Sequence, residues 1–227
     1  MAHLIKLEST PDLVEQVYAR LLDAISDGSL APGQRITQED LAAQLAVSRQ
    51  PVLQALRLLK QDGFLCDAPG RGLLVSPLDP AWIVQVYQVR GALDALAAQL
   101  AAAHRAHIDP KLIAQGRKAA RGRNVKAMID ADIAFHDAIY SASGNDLIAK
   151  SAHAHWRHLR RVMGAVLQQS GQREDLWDEH QAIADAIACG DGPRAAEQIT
   201  GHAARASDNL TEILNHVLAT RQGDNTP

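Results

Sequence analysis

Cysteine, aromatic residues and long apolar runs are all scarce in this sequence of 227 residues. Two cysteines, Cys66 and Cys189, are too few for the disulfide framework of a secreted domain, so a cytoplasmic location is expected. No apolar run approaches the roughly 18 residues of a membrane span, and the opening MAHLIKLESTPDL does not resemble a signal peptide. Positive charge is not in surplus either, because the net charge is −3. Any binding of nucleic acid must therefore depend on a local patch.

What the sequence does contain is alanine, leucine and helical periodicity. Apolar residues make up 47% of the chain and aromatic residues 4%, which is typical of a mostly helical protein. A first helix is expected to begin at Thr10 and Pro11 and to end at Gly28, because its apolar residues recur at helical spacing. Two shorter helices should follow, capped by Thr37 and Ser48.

Strand material is predicted at one place only. Two short runs, Phe64–Ala68 and Leu73–Ser76, flank a glycine-rich turn and predict a β-hairpin. The stretch SPLDP follows as a linker, and beyond it the periodicity predicts only helices, at about 80–104, 110–121, 125–143, 146–169, 173–189 and 193–220. The fold class is therefore mostly α, with a small α/β domain over residues 1–78 and an all-α helical bundle over residues 79–227.

The first domain has the element order of a winged helix-turn-helix, in which the second short helix enters the DNA major groove. The first residues of that helix are Ser48, Arg49, Gln50 and Pro51. An arginine can fork onto a guanine, a glutamine can pair with an adenine, and a serine can reach a phosphate. Arg71, in the GRG of the hairpin tip, can meet a phosphate or a minor groove.

Either arginine taken alone is more often an ordinary surface residue. The functional interpretation depends on local charge, because the segment 49–71 contains more basic than acidic residues. These are Arg49, Arg57, Lys60 and Arg71 against Asp62 and Asp67.

The stretch SLAPGQRITQEDLAAQLAVSRQPVLQALRLLKQDGFL, followed by GRGLLV, resembles the GntR family of bacterial transcription regulators across nearly all of residues 10–76. The resemblance implies contacts with double-stranded operator DNA at six positions. They are Ser48, Arg49, Gln50, Pro51, Gly70 and Arg71. One position departs from the family, which usually has an arginine where this sequence has Leu53. The departure implies a missing contact and an operator that differs from the common one.

Charged and polar residues on apolar helix faces mark the second domain. Asp132 and His136, in DADIAFHDAIYSASGN, are four apart and so share one face of a helix. His180 and His202 lie on similar apolar faces of two later helices. A single such histidine is most often a satisfied core residue. Three histidines and a carboxylate favour one shared divalent cation, because separate burial would require a hydrogen-bond partner for each.

Neutral imidazoles and a carboxylate suit zinc, with nickel and manganese as alternatives. The remaining cluster of histidines, His153, His155 and His158, lies among arginines. Arg157, Arg160 and Arg161 are these neighbours, and the whole group is expected on a partly solvated basic face.

The second domain also resembles the FCD-type domain of the FadR subfamily of GntR regulators, through YQVRGALDALAAQLAA, DADIAFHDAIYSASGN, EHQAIADAIACGD and a histidine in the last helix. Many members of that subfamily bind a metal through one aspartate and three histidines, which match Asp132, His136, His180 and His202. Arg90 matches an arginine that lines the effector cavity. Asp94 departs mildly, because it replaces the usual glutamate.

These observations predict a homodimeric transcriptional regulator, with repression as the default, that a small carboxylic acid controls from a site near the metal. Two-fold operators require two DNA-binding heads, and the alanine-rich segment Ala92–Ala103 offers a surface for close helix packing. The same metal site could activate water, so a metal-dependent hydrolase is the alternative. A DNA-reading head and the lack of a second general base argue against an enzyme. A purely structural helical partner protein explains neither the wing nor the histidines.

Overall fold

The computed structural model describes residues 13–122, 124–167 and 175–223, with side chains up to residue 220. The cap expected at Thr10 and Pro11 lies outside these residues. The chain forms two compact units, and the boundary in sequence falls between Leu78 and Asp79.

The first unit combines short helices with a small antiparallel sheet. Its described elements are α1 (Leu13–Ser26), β1 (Arg35–Ile36), α2 (Gln38–Gln44), α3 (Arg49–Gln61), β2 (Leu65–Asp67) and β3 (Leu73–Val75). The strand order is β1-β3-β2, with Leu74 of β3 opposite Arg35 on one side and Cys66 on the other. The expected hairpin is present as β2 and β3, and β1, which precedes α2, pairs with β3 as a third strand.

Local signals explain where α2 and α3 begin. The Thr37 hydroxyl accepts the Asp40 backbone N–H at 3.2 Å and donates to the Asp40 carboxylate at 2.7 Å, which forms the expected cap. Ser48 occupies the cap position of α3, but its side chain makes no capping hydrogen bond, contrary to expectation. Ala46, in the turn between the two helices, has a φ of 52°, a conformation that favours glycine.

Apolar residues from every element of the first unit form one core. Its fully buried members include Ile25, Val52, Leu59, Phe64 and Val75. Burial of each large apolar side chain stabilises the unit by about 1.5–3 kcal/mol, so the core fixes α3 and the sheet relative to each other.

The second unit is all helical in its described part. Its helices are α4 (Pro80–Ala103), α5 (Pro110–Arg121), α6 (Val125–Ala142), α7 (Asp146–Val166), α8 (Asp175–Cys189) and α9 (Gly192–Gly223). The long helices α4 and α9 pack along each other, and α6, α7 and α8 pack against α4. These bounds agree closely with the periodicity. The residues between the end of α7 and the start of α8 lie mostly outside the described part of the chain.

Two surfaces expected in the second unit are partly buried. Arg161 was expected on a partly solvated face, but it is only 6% exposed, because the apolar face of α7 is wide enough to include its position. Much of the alanine-rich segment of α4 is also buried inside the unit. Ala97, Ala98, Ala101 and Ala102 are its buried members. Among the helices that the structure describes, none is both long and apolar enough to cross a membrane.

Candidate metal centre and nucleic-acid interface

Four charged and polar side chains from three helices converge inside the second unit. Asp132 and His136 project from α6, His180 from α8 and His202 from α9. Each offers one ligand atom, and these atoms all lie within 4.8 Å of one another. The four residues are 7%, 0%, 0% and 2% exposed. The structure therefore brings together the whole set that the sequence predicts, and we call this group the Asp/His cluster.

Apolar packing holds the cluster in place. The four-residue spacing on α6 stacks Asp132 and His136 on the buried face of that helix. The His180 ring packs against Phe135 and Trp177, with centroids 4.3 Å and 4.5 Å away. Because this surrounding excludes water, each polar atom of the cluster needs a partner within the protein or a bound ion.

Three polar atoms of the cluster find no hydrogen-bond partner among the described residues. They are both ring nitrogens of His180 and Oδ1 of Asp132, although His180 Nε2 lies 3.3 Å from that oxygen. An unsatisfied buried group costs about 1–3 kcal/mol, so such a set requires an explanation. Three imidazoles and one carboxylate are a donor set that suits zinc, and a cation would engage Asp132 Oδ1 and one of the two His180 nitrogens. The residues present fit a divalent metal.

The protonation states also suit ligation. Burial lowers the pKa of His136 and of His180 below the ordinary value, and the positive charge of Arg90 lowers both further. Burial would raise the pKa of Asp132, but its contact with His180 and the charges of His136 and Arg90 outweigh burial and lower that pKa. Neutral imidazoles and an ionised carboxylate are the forms that bind metals.

Arg90, predicted to line an effector cavity, lies directly beside the cluster. It is 1% exposed, and its Nη2 is 3.0 Å from Nε2 of His136. Its Nε is 3.1 Å from Asp94 Oδ2, and its Cζ lies 3.8 Å from the centre of the Trp156 ring. Tyr140 donates a hydrogen bond to the other oxygen of Asp94. Burial would lower the pKa of Arg90, but the Asp94 carboxylate reverses the effect and raises it, so the guanidinium stays charged.

Glu179 is a member of this site that sequence reasoning missed. Its Oε2 lies 2.8 Å from Nδ1 of His202, and its Oε1 accepts a hydrogen bond of 2.7 Å from Nε of Arg205. Burial would raise the pKa of Glu179, but His202 and Arg205 together lower it to about 2. The only signal in the sequence was its position immediately before His180.

The other histidines do not join the cluster. His153 is exposed and pairs with Asp137 at 2.9 Å, and the His158 ring lies against Trp82 with centroids 4.5 Å apart. His155 is half-buried, and burial lowers its pKa.

In the first unit, the predicted DNA-reading residues lie at the exposed start of α3. Ser48, Arg49 and Gln50 are exposed, and Pro51 is half-buried. The Arg49 guanidinium is 3.3 Å from Oε1 of Glu39 on α2, and the two side chains are 69% and 57% exposed. The arginine is therefore accessible, but its ion pair with Glu39 must be loosened or shared when it contacts a base.

The wing tip presents Arg71 between two glycines in the left-handed conformation. Gly70 and Gly72 have φ values of 89° and 97°, which residues with a Cβ rarely adopt. Arg35, which the sequence reasoning also missed, donates from Nη2 to the backbone carbonyls of Pro69, at 3.3 Å, and of Arg71. The β1 arginine therefore holds the wing tip from behind, while the Arg71 side chain stays exposed.

The surface between α3 and the wing forms a groove of about 520 Å³. Its basic lining residues are Arg35, Arg57, Lys60 and Arg71. Lys60 is neutralised in part by Asp67, whose two oxygens lie 2.6 Å and 2.8 Å from Nζ. Leu53, which replaces the usual family arginine, also lines this groove.

A winged helix-turn-helix unit followed in the chain by a helical unit with a buried polar cluster defines a class of DNA-binding regulators with a separate helical C-terminal domain. Residues 13–75 match the gntR family of bacterial regulatory proteins, and residues 85–205 match the FCD domain. The chain belongs to the GntR family of transcriptional regulators, in its FadR-like, FCD-containing branch.

Individual relatives agree with this assignment. An uncharacterized HTH-type transcriptional regulator from an unstable DNA locus of Streptomyces ambofaciens is 31% identical over 205 residues, covering 88% of this chain and 86% of the relative. The crystal structure of a putative transcriptional regulator GntR from Rhodococcus sp. RHA1 is 25% identical with a TM-score of 0.70, covering 87% of this chain and 96% of that one. Escherichia coli McbR/YncC shares the fold, with a TM-score of 0.73 at 20% identity over 89% of this chain and 99% of its own. The GntR family and the Streptomyces relative are described as transcriptional regulators rather than enzymes, and the hydrolase alternative finds no support.

Proposed function

We propose that this GntR regulator is a homodimeric repressor whose affinity for operator DNA is controlled by a small carboxylic acid bound near a metal ion. The convergence of four ligand atoms within 4.8 Å in a buried site is the observation that carries the proposal. A regulator of this kind acts on chromosomal DNA, so we place it in the cytoplasm.

Asp132, His136, His180 and His202 would hold the cation, with zinc the first choice and nickel or manganese the alternatives. When bound, the metal supplies concentrated positive charge and open coordination positions. The protein supplies the rest: it favours the neutral forms of His136 and His180, excludes water and places Arg90 beside His136.

The charges around the cluster favour an anionic effector. A divalent cation and Arg90 together bring three positive charges into a buried site, while Asp94 and Asp132 bring at most two negative charges. A carboxylate ligand offsets the remaining charge and can pair with a guanidinium in a bidentate manner. A neutral effector such as an unmodified sugar would leave this excess of charge buried.

We assign the DNA-binding residues from the exposure of their side chains at the start of α3 and at the wing tip. Ser48, Arg49, Gln50 and Pro51 would face the major groove, and the wing tip with Gly70 and Arg71 would approach the backbone or minor groove. Leu53 leaves the middle of α3 without a hydrogen-bonding side chain at that position, so we expect an apolar contact there, such as a thymine methyl group.

Dimerisation is proposed through the outer face of the α4 and α9 pair. A groove of about 440 Å³ lies there, lined by small residues that include Gly91, Ala92, Ala95 and Ala204. Ala92 and Ala95 belong to the predicted segment Ala92–Ala103, so the accessible part of that segment is the surface proposed to pack against a second copy.

Metal content of the purified, tag-free protein tests the proposal. We expect close to one transition-metal ion per chain, and a chelator should lower the melting temperature, because an ion bound only to the native state stabilises it by RT ln(1 + [L]/Kd). His180→Ala should abolish both effects, whereas the matched control His153→Ala, which removes an exposed histidine of the same unit, should preserve them. The metal proposal would be wrong if the protein carried less than about a tenth of an ion per chain and added zinc left its melting curve unchanged. The four residues would then be a buried polar cluster without a metal.

A further inference from the structure

The Asp/His cluster is not symmetric in how its histidines are supported. His202 has a carboxylate behind its ring, because Glu179 Oε2 lies 2.8 Å from its Nδ1. His180 makes no hydrogen bond from either ring nitrogen to any described residue. Nδ1 of His136 lies 3.4 Å from Nη2 of Arg90 and 3.7 Å from Oδ2 of Asp94. Among the three histidines, only His202 has a carboxylate from outside the cluster within hydrogen-bond distance in the described part of the chain.

The contact with Glu179 decides which nitrogen of His202 is available to a metal. When Nδ1 donates its proton to Glu179, the ring is neutral with its free lone pair on Nε2. His202 is 2% exposed and its ring centroid is 4.6 Å from that of His180, so the ring lies inside the cluster and Nε2 is the nitrogen left to bind a cation.

A further residue holds Glu179 from the outside. Arg205, one turn after His202 on α9, donates from Nε to Glu179 Oε1 at 2.7 Å. Glu179 is 29% exposed and Arg205 61% exposed, so this ion pair borders solvent while its other end reaches a buried ring. The result is a chain of three residues that runs from the surface to the cluster.

We propose that Glu179 is the positioning residue of the metal site, fixing the tautomer and ring orientation of His202 so that Nε2 is presented to the cation. A carboxylate behind an imidazole also raises the basicity of the ligand nitrogen, and loss of such partners typically lowers metal affinity by about 10–100-fold. This inference rests on the proposed function, because it requires that the cluster binds a metal.

The competing explanation is that Glu179 and Arg205 only fasten α8 to α9. The fastening role and the positioning role differ in whether they affect the metal-free and the metal-bound protein equally. A fastening contact stabilises the protein with and without metal to the same extent. A positioning contact changes mainly the affinity for the ion and the electronic spectrum of a bound transition metal.

The test measures Zn²⁺ affinity of the full-length protein by competition with a chelating dye, and the visible absorption of the Co²⁺-loaded protein. Glu179→Ala removes the carboxylate, and Glu179→Gln keeps its size and one acceptor. The matched control is Glu197→Gln, which removes a negative charge from an exposed residue that lines, together with Glu179 and Arg205, a groove of about 580 Å³.

We expect Glu179→Ala to weaken Zn²⁺ binding about 10–100-fold and Glu179→Gln to weaken it by less. Both variants should change the absorption spectrum of the Co²⁺-loaded protein. Neither should change the melting temperature of the metal-free protein by much. Glu197→Gln should leave affinity and spectrum unchanged. The inference would be overturned if both variants kept the wild-type Zn²⁺ affinity and the wild-type Co²⁺ spectrum. It would also be overturned if they lost the same amount of stability in the metal-free and the metal-loaded protein. If the alanine variant does not fold, the glutamine variant decides alone. Failure of the wild-type protein to bind Zn²⁺ would instead overturn the proposed metal site itself.

Discussion

Replacing Arg49 with alanine should weaken binding to the operator without unfolding the first unit. The side chain is 69% exposed at the start of α3, so its loss should change the free energy of unfolding by less than about 0.5 kcal/mol. The expected effect on binding is larger, because a bidentate contact between arginine and guanine contributes about 1–3 kcal/mol.

The ion pair with Glu39 reduces this contribution. An exposed pair such as this one, at 3.3 Å, stabilises the free protein by about 0.2–1 kcal/mol, and part of that is lost when Arg49 turns to a base. The net loss for Arg49→Ala should therefore be about 1–2 kcal/mol, or roughly a 5- to 30-fold increase in Kd. Glu39→Gln should have the opposite sign and tighten binding by up to about fivefold. In the double variant the gain from Glu39→Gln should shrink, because Arg49 is no longer there to be released.

Fluorescence anisotropy with a labelled promoter fragment and a scrambled fragment, at one fixed salt concentration, measures these differences. Lys111→Ala is the matched control, because it removes one exposed positive charge from the second unit. Equal losses on both fragments would show that Arg49 contributes only charge. An unchanged operator affinity would refute its assignment as a base reader.

Three further outcomes are expected. Arg71→Ala should weaken binding to all DNA sequences alike and reduce the slope of log affinity against log salt concentration by about 1. Arg35→Ala should reproduce part of that loss, because it frees the wing tip. A loss of sequence discrimination with an unchanged salt dependence would contradict both expectations. Ala46→Gly should stabilise the first unit by about 1 kcal/mol, because glycine adopts the left-handed φ of 52° without strain. Thermal unfolding measures the change, and a lower melting temperature would argue against backbone strain at this position. The metal-free protein should lose stability as the pH falls below about 6.5, by up to about 1.4 kcal/mol per pH unit for each of His136 and His180. The sign follows because the folded-state pKa values of His136 and His180 are lowered, so the unfolded state takes up protons first; a melting temperature constant from pH 7.5 to 5.5 would exclude this.

The helical periodicity was sufficient to predict the main elements and the cluster. Each of Asp132, His136, His180 and His202 stood on an otherwise apolar helix face, and burial of that face was enough to bring them together. Sequence alone could not supply the partners of these residues. Glu179 and His202 are 23 positions apart, and nothing in the pattern of either helix specifies that the carboxylate of one reaches the ring of the other.

The errors have a common physical origin. An alanine-rich or arginine-rich helix carries weak information about which face is buried, because alanine is compatible with both environments and arginine can bury a charge beside a partner. Ala97 and Arg161 were therefore assigned to surfaces that the structure buries. The role of Arg35 was hidden for a related reason, since it depends on backbone carbonyls of a wing more than thirty residues later.

The decisive measurement for acid-controlled DNA binding is the affinity of the zinc-loaded protein for its own promoter, with and without a panel of small hydroxy- and dicarboxylic acids. We predict binding at least about 10³-fold tighter than to scrambled DNA, weakened roughly 5- to 150-fold by at least one acid. The acid response should vanish in His180→Ala while most of the DNA affinity remains. Equal affinity for promoter and scrambled DNA, or an acid response that survives both the chelator and His180→Ala, would contradict this prediction.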